Sequence, residues 1–220
     1  NVTTMREMFN GCTNFNQPLN GWDVSNVTNM REMFGGCINF NQPLNNWNVS
    51  NVTNMSYMFW NVKSFNQPLN AWNVSKVITM RSMFSNAESF NQPLHLWNVS
   101  NVYDMSYMFS GLGNADYINV GGWNTANVSN MQGMFSNIYN ITSVSINTWD
   151  TSNVSDMSKM FYNSHFNQSI GSWNTSKVAN MASMFAGSAW NANTPFNQDI
   201  SSWNTANVTD MSYMFEHATN

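Results

Sequence analysis

The sequence predicts a repeat solenoid of the α/β class, in which each coil of about 25 residues supplies one short strand and one short helix or 3₁₀ turn. Three observations predict it. Trp22, Trp47, Trp72, Trp97, Trp123, Trp149, Trp173 and Trp203 recur at intervals of 24 to 30 residues, most often 25. Behind each of them runs the same string, Trp-Asn/Asp-Val/Thr-Ser/Ala-x-Val-x-x-Met-x-x-Met-Phe. All 18 Met and all 15 Phe are used by this one pattern: nine Met pairs, nine Phe after the second Met, and six Phe that open a Phe-Asn-Gln string. Self-similarity at a fixed period of 20–50 residues is the signature of stacked repeats.

The helix or 3₁₀ turn is read from the Met-Phe half. Val27, Met30, Met33 and Phe34 stand at i, i+3, i+6 and i+7, the spacing of one helical face. Thr28 and Asn29 precede it and suit an N-cap, as do Asp104, Asp156 and Asp210 in other coils. A helix this short is not stable alone and must be held by neighbouring coils. The strand is read from Leu19–Val24, which follows Pro18. The period lies in the leucine-rich-repeat range of 20–29 residues, so the coil is expected to be leucine-rich-repeat-like. Stacking at strand spacing turns Asn16, Asn41, Asn66 and Asn91 into a hydrogen-bonded ladder.

Length variation divides each coil in two. From Trp to the Phe of its Met-Phe pair there are always 12 residues; from that Phe to the next Trp there are 12 to 18. Insertions therefore fall in one half, which holds a surface loop and often the binding face. The whole of residues 1–220 is expected to be one solenoid of eight to nine coils, cut from a longer surface protein.

The strings FNQPLNGWDVSNVTNMREMF (15–34), FNQPLNNWNVSNVTNMSYMF (40–59) and FNQPLNAWNVSKVITMRSMF (65–84) resemble the BspA-like leucine-rich-repeat surface proteins. More narrowly, they resemble the 25-residue repeat of bacterial surface lipoproteins with a Phe-Asn-Gln…Trp-Asp-Val-Ser…Met-Phe signature. The resemblance runs the length of the chain. It implies a secreted or surface-anchored protein, at a cell or virion surface, engaged in adhesion to a protein or glycan on another cell or surface. The chain departs from the signature after Phe109 and Phe135, where Gly111–Val120 and Ser136–Asn147 replace Phe-Asn-Gln, and again around Ser188–Pro195. From Trp123 onward Thr125, Thr151, Thr175 and Thr205 replace Val.

Composition narrows the function classes. Only 8% of residues are charged, the net charge is -4 and the seven basic residues are scattered, so nucleic acid is not an expected partner. No apolar run is long enough for a membrane-spanning helix. His95, His165 and His217 share no metal-ligand spacing, and Asp104, Asp156 and Asp210 become Asn or Thr in other coils, which a general acid would not tolerate. No metal, cofactor or catalysis is expected. Cys12 and Cys37 share one phase in adjacent coils, open to a disulfide but favouring free thiols beside small apolar neighbours. The Trp, Met and Phe columns are expected to be core. Binding candidates are the aromatics outside those columns: Tyr57, Tyr107 and Tyr213 between the paired Met, and Tyr117, Tyr139 and Trp190 in the variable stretches. The alternative to recognition is a structural repeat that self-associates through its ends.

Overall fold

A computed structural model of the 220-residue chain describes residues 1–141, 144–188 and 194–219. Nine Met-Phe rungs stack in parallel. Single-residue bridges link equivalent positions from Thr4 through Asn29, Asn54, Thr79, Asp104, Asn130, Asp156 and Asn180 to Asp210. One further bridge pairs Thr194 with Ala218; among the described residues there is no helix, and no strand extends beyond these isolated bridges. The expected α/β coil, leucine-rich-repeat-like with one strand and one helix or 3₁₀ turn, is therefore corrected to a coil made almost wholly of turns.

The backbone of one rung shows why. Met8 N–H bonds Met5 C=O at 3.3 Å, and Cys12 N–H bonds Phe9 C=O at 2.9 Å. Both close four-residue turns, and the third residue of each is left-handed: Glu7 at φ 57° and Gly11 at φ 74°. This is type II turn chemistry. The Gly11 phase carries Gly36, Asn61, Asn86, Gly111, Asn137, Asn163 and, in the last coil, His217, residue types that accept this region more readily than most. The Glu7 phase, apart from Gly133, does not: it carries Glu32, Tyr57, Ser82, Tyr107, Lys159, Ser183 and Tyr213, all with positive φ. A left-handed residue between the two Met is incompatible with a helix. The Met spacing of three reflects turns that close at i+3, not a helical face. Leu19–Val24 is likewise no strand, because Trp22 N–H turns back to Leu19 C=O at 2.9 Å.

Alternate N–H groups point out of the rung. Met5, Glu7, Phe9 and Gly11 donate to the carbonyls of Asn29, Arg31, Met33 and Gly35 in the next coil, at 2.7–2.9 Å. Four bonds of the same kind join each later pair of rungs, always from the N–H of one coil to the C=O of its successor. The N–H between Met5 and Glu7, that of Arg6, is taken by Thr4 Oγ1, and in later coils by Asn29, Asn54, Asp104, Asn130, Asp156, Asn180 or Asp210. These side chains sit where N-caps were expected and make the corresponding bond, but what they close is an Asx turn. Hence the main-chain donors of the rung are satisfied without regular secondary structure. At Asp23, Asp150 and Asp210 the hydroxyl, and then the N–H, of the serine two residues on holds the carboxyl below its ordinary value.

The core is the set of columns expected. Paired Met, the Phe that follows and the Val three before the first Met are buried through the interior coils. Neighbouring Phe rings of the Met-Phe column lie 5.5–6.0 Å apart from Phe9 to Phe215. The Phe-Asn-Gln rings close on them within a coil, as Phe84 and Phe90 do at 4.2 Å. Trp47 and its successors are buried, and each indole N–H donates to a carbonyl of the preceding coil, Trp47 to Leu19 at 3.0 Å. This answers the one polar atom of an otherwise apolar side chain. Thr125, Thr151 and Thr175 spend their buried hydroxyls on carbonyls of the following coil. No helix of the described residues is long and apolar enough to cross a membrane.

The two cysteines occupy very different surroundings. Both are free, Cys12 exposed and Cys37 buried with its Sγ donating to Phe9 C=O. Burial, with the neighbouring Cys12 adding to it, pushes the Cys37 thiol up to about 11. At pH 8 that leaves about one thiolate in a thousand. Iodoacetamide at pH 8 is expected to label Cys12 alone in the folded chain, and both after denaturation; equal labelling of native Cys37 would contradict this packing.

Candidate functional site

The rung half of the coil is constant in length and closed on itself, so chemistry left over for a ligand has to come from the other half. In coils opening with Phe-Asn-Gln, the Asn is a linchpin. Asn16 Oδ1 accepts Asn41 N–H and Gln42 Nε2, and Asn41 and Asn66 repeat this with the next coil at 2.9–3.1 Å. The expected Asn ladder exists, then, as side chains that grip the backbone and the Gln of the following coil. Asn20 and Asn70 do the same for Asn46 and Leu96.

Both columns lose their successor at one place. After Phe109 the chain carries Gly111–Val120 in place of Phe-Asn-Gln. Asn91 Oδ1 is left accepting a 3.3 Å bond from Gln92 of its own coil. His95 stands where Asn20 and Asn70 stood; behind it Asn70 Nδ2 lies 3.4 Å from its ring. Opposite them, Ile118 N–H bonds Ala115 C=O, a turn with Asp116 and Tyr117 at its tip. The base of this turn is tied on both sides: Leu94 N–H donates to Ile118 C=O at 2.7 Å, and Ala115 N–H to Asn140 C=O at 2.8 Å. Asn114 Oδ1 accepts the Asp116 N–H at 3.0 Å. Asn119 follows in the left-handed region at φ 47°.

Between the coil and the turn lies an open cleft of about 460 Å³, lined by Asn91, Pro93, His95, Asp116, Tyr117, Asn119 and Ser145. That is within the range of small-ligand sites. Tyr117 is 61% exposed, so its ring is presented to solvent at the edge of the cleft while its backbone is pinned. The lining holds one carboxylate, no Lys and no Arg.

Of the six aromatics singled out from sequence, this cleft takes Tyr117. Tyr139 is exposed in the next variable stretch, its hydroxyl accepting Asn163 Nδ2 at 3.0 Å and its ring edge-on to His165 at 5.3 Å. Tyr57 and Tyr107 are half-buried rather than free on the rung surface. The Arg31 guanidinium lies 5.6 Å from the Tyr57 ring, Arg81 donates through Nε to the Tyr57 hydroxyl at 2.8 Å, and Arg81 lies 6.0 Å from the Tyr107 ring. They form one alternating cation–aromatic ridge along four coils. Tyr213 is exposed on the last rung, and Trp190 lies outside the described residues. Of the five described, Tyr57 and Tyr107 are therefore linked through Arg81, and Tyr117, Tyr139 and Tyr213 stand at separate places.

Sequence reasoning missed Asn91, His95, Asp116 and Asn119. The signal available was indirect: Asn91 and His95 belong to ladder phases, and only the missing Phe-Asn-Gln in the coil that follows shows that they have lost their partners. Among the described residues no three His, Cys, Asp or Glu side chains are grouped to hold a metal.

A family model described as "Mycoplasma protein of unknown function, DUF285" matches residues 1–95, 67–143 and 137–220. No curated protein and no solved structure matches the chain. The three matches together span all the coils, and the chain belongs to this DUF285 family of repeat proteins.

Proposed function

We propose that the chain is a non-catalytic recognition module displayed at a cell or virion surface, where the variable edge of the coil stack adheres to a protein or glycan partner. The observation that carries this is the break in the Asn columns: where the repeat stops repeating, polar side chains otherwise spent on stacking border a cleft beside an exposed, backbone-pinned tyrosine. A binding loop held on a rigid frame loses little freedom when it meets a partner. The resemblance of the repeats to BspA-like surface proteins supports the same reading by analogy of sequence. The test is adhesion of the 220-residue chain, immobilised, to intact host cells and to extracellular-matrix coats. Saturable attachment reduced at least tenfold by Tyr117→Ala, with circular dichroism unchanged, is the expected result. Attachment indifferent to Tyr117→Ala overturns the assignment to this edge.

One observation favours self-association instead. The four rung bonds at each junction all run the same way, so one face of a rung offers four N–H groups and the other four C=O groups in matching register. Such faces generate head-to-tail contacts that do not close. Light scattering that rises steeply with concentration, together with filaments by electron microscopy, would replace adhesion with this structural role.

A further inference from the structure

Resting on the recognition reading above, we propose that the Tyr117 cleft binds a neutral saccharide, with the Tyr117 ring under the C–H face of the sugar and Asp116, Asn91, Asn119 and His95 on its hydroxyls. The chemistry of the lining selects this class. An anionic ligand such as a phosphate, sulfate or sialic acid needs a counter-charge, and the cleft lining holds no Lys or Arg to supply it. A purely apolar ligand would desolvate the Asn91, Asn119 and Asp116 side chains without replacing their hydrogen bonds, at a cost that its own burial does not offset. A sugar ring answers both halves of the site. Its hydroxyls donate to the Asp116 carboxylate and pair with amide groups that both donate and accept, and its C–H face is apolar enough to lie on an aromatic ring.

The frame is suited to the task as well. Asp116 and Tyr117 occupy the two central positions of one turn; the hydrogen bonds of Leu94 and Ala115 hold that turn to coils on both sides, and Asn114 braces it from within. Asn91 brings a carbonyl oxygen that in three earlier coils accepts two donors from the next coil and here accepts one from its own. A ligand hydroxyl takes the place of the missing backbone N–H. Tyr139, in the adjacent variable stretch, already has its hydroxyl engaged by Asn163 and is not among the cleft residues, which makes it the control.

Saturation-transfer difference NMR and calorimetry on the 220-residue chain provide the test. The probes are the methyl glycosides of glucose, galactose, mannose, N-acetylglucosamine and N-acetylgalactosamine, with their common disaccharides. At least one probe is expected to show transfer strongest on ring C–H protons, as stacking requires. Tyr117→Ala is expected to weaken it at least tenfold, Tyr117→Phe to leave it within about twofold, and Tyr139→Ala to leave it unchanged. No transfer from any probe at 10-millimolar-order concentrations, or binding that survives Tyr117→Ala, overturns the saccharide assignment. Binding of tetramethylammonium or N-acetyl-lysine in place of the sugars overturns it in favour of a cation over the ring. Failure here is distinguishable from failure of the recognition reading: cell attachment that still depends on Tyr117 while every sugar fails leaves recognition standing with another ligand class. Sugar binding with attachment indifferent to Tyr117 removes recognition by this edge and leaves the sugar site.

Discussion

Phe84→Ala is expected to cost about 3–5 kcal/mol of stability, the range for emptying a large aromatic site in a packed core. Phe84 is fully buried and meets four rings: Phe90 at 4.2 Å, Phe59 at 5.6 Å, Phe109 at 6.0 Å and Trp97 at 6.2 Å. Two of these lie in its own coil and one in each neighbour, so the cavity weakens both junctions of the fourth coil at once. In an array where each unit touches only its neighbours, stability is close to a sum of unit and junction terms. The loss is therefore expected to divide the unfolding, with the coils before and after Phe84 melting separately and the apparent urea m-value falling. Tryptophan fluorescence follows this, because an indole sits in every coil from Trp22 to Trp203. A cost under about 1 kcal/mol, with a single unchanged transition, would mean that the Phe column is not what joins the coils.

Lys159→Pro is expected to cost about 3 kcal/mol or more, and Lys159→Gly to stabilise by roughly 0.5–1 kcal/mol. Lys159 is exposed, stands at φ 57° and donates its N–H to Ala182 C=O at 2.9 Å. Proline has neither the N–H nor access to positive φ. Glycine keeps the bond and removes the left-handed strain, about 1–2 kcal/mol less its own entropy. The sign of the glycine result separates two folds. Were residues 154–161 a helix, as their Val-Met-Met-Phe spacing predicts, glycine would destabilise by about 1 kcal/mol. Urea unfolding of the three proteins side by side measures both effects, and a destabilised glycine variant would reinstate the helix.

The contrast at Lys159 also shows what the sequence could and could not convey. Which residues are core was legible, because Met, Phe and Trp are used at single phases and burial follows phase whatever the backbone does. The Asn ladder was legible for the same reason. The rung conformation was not, since a three-residue spacing of apolar side chains serves a helix and a run of type II turns alike. The distinguishing mark lay in the second left-handed phase, where every coil from Gly11 to Asn163 carries Gly or Asn, the two residue types that turns favour, and the last carries His217. The first left-handed phase hid it, because Tyr57 and Lys159 are residues that local preference would never place there; hydrogen bonds to the next coil hold them. Strain imposed by stacking is a tertiary effect, invisible to a window of one repeat. The cleft was half legible: Tyr117 stood out as an aromatic off the pattern, whereas Asn91 and His95 look like ordinary ladder members until their successors are found missing.

The four-bond junction bears on how the molecule changes over generations. Each junction repeats the same four rung bonds, so a segment running from one Met-Phe pair to the next can be duplicated or excised as a block and its new neighbours meet the same rung donors and acceptors, whereas the Asn columns continue only between coils that open with Phe-Asn-Gln. Copy number is then free to drift while the rung of each surviving unit keeps its four bonds on either side. The gene has a cheap way to alter the reach of its product, and separately, within any one copy, to rewrite a loop without disturbing the rest.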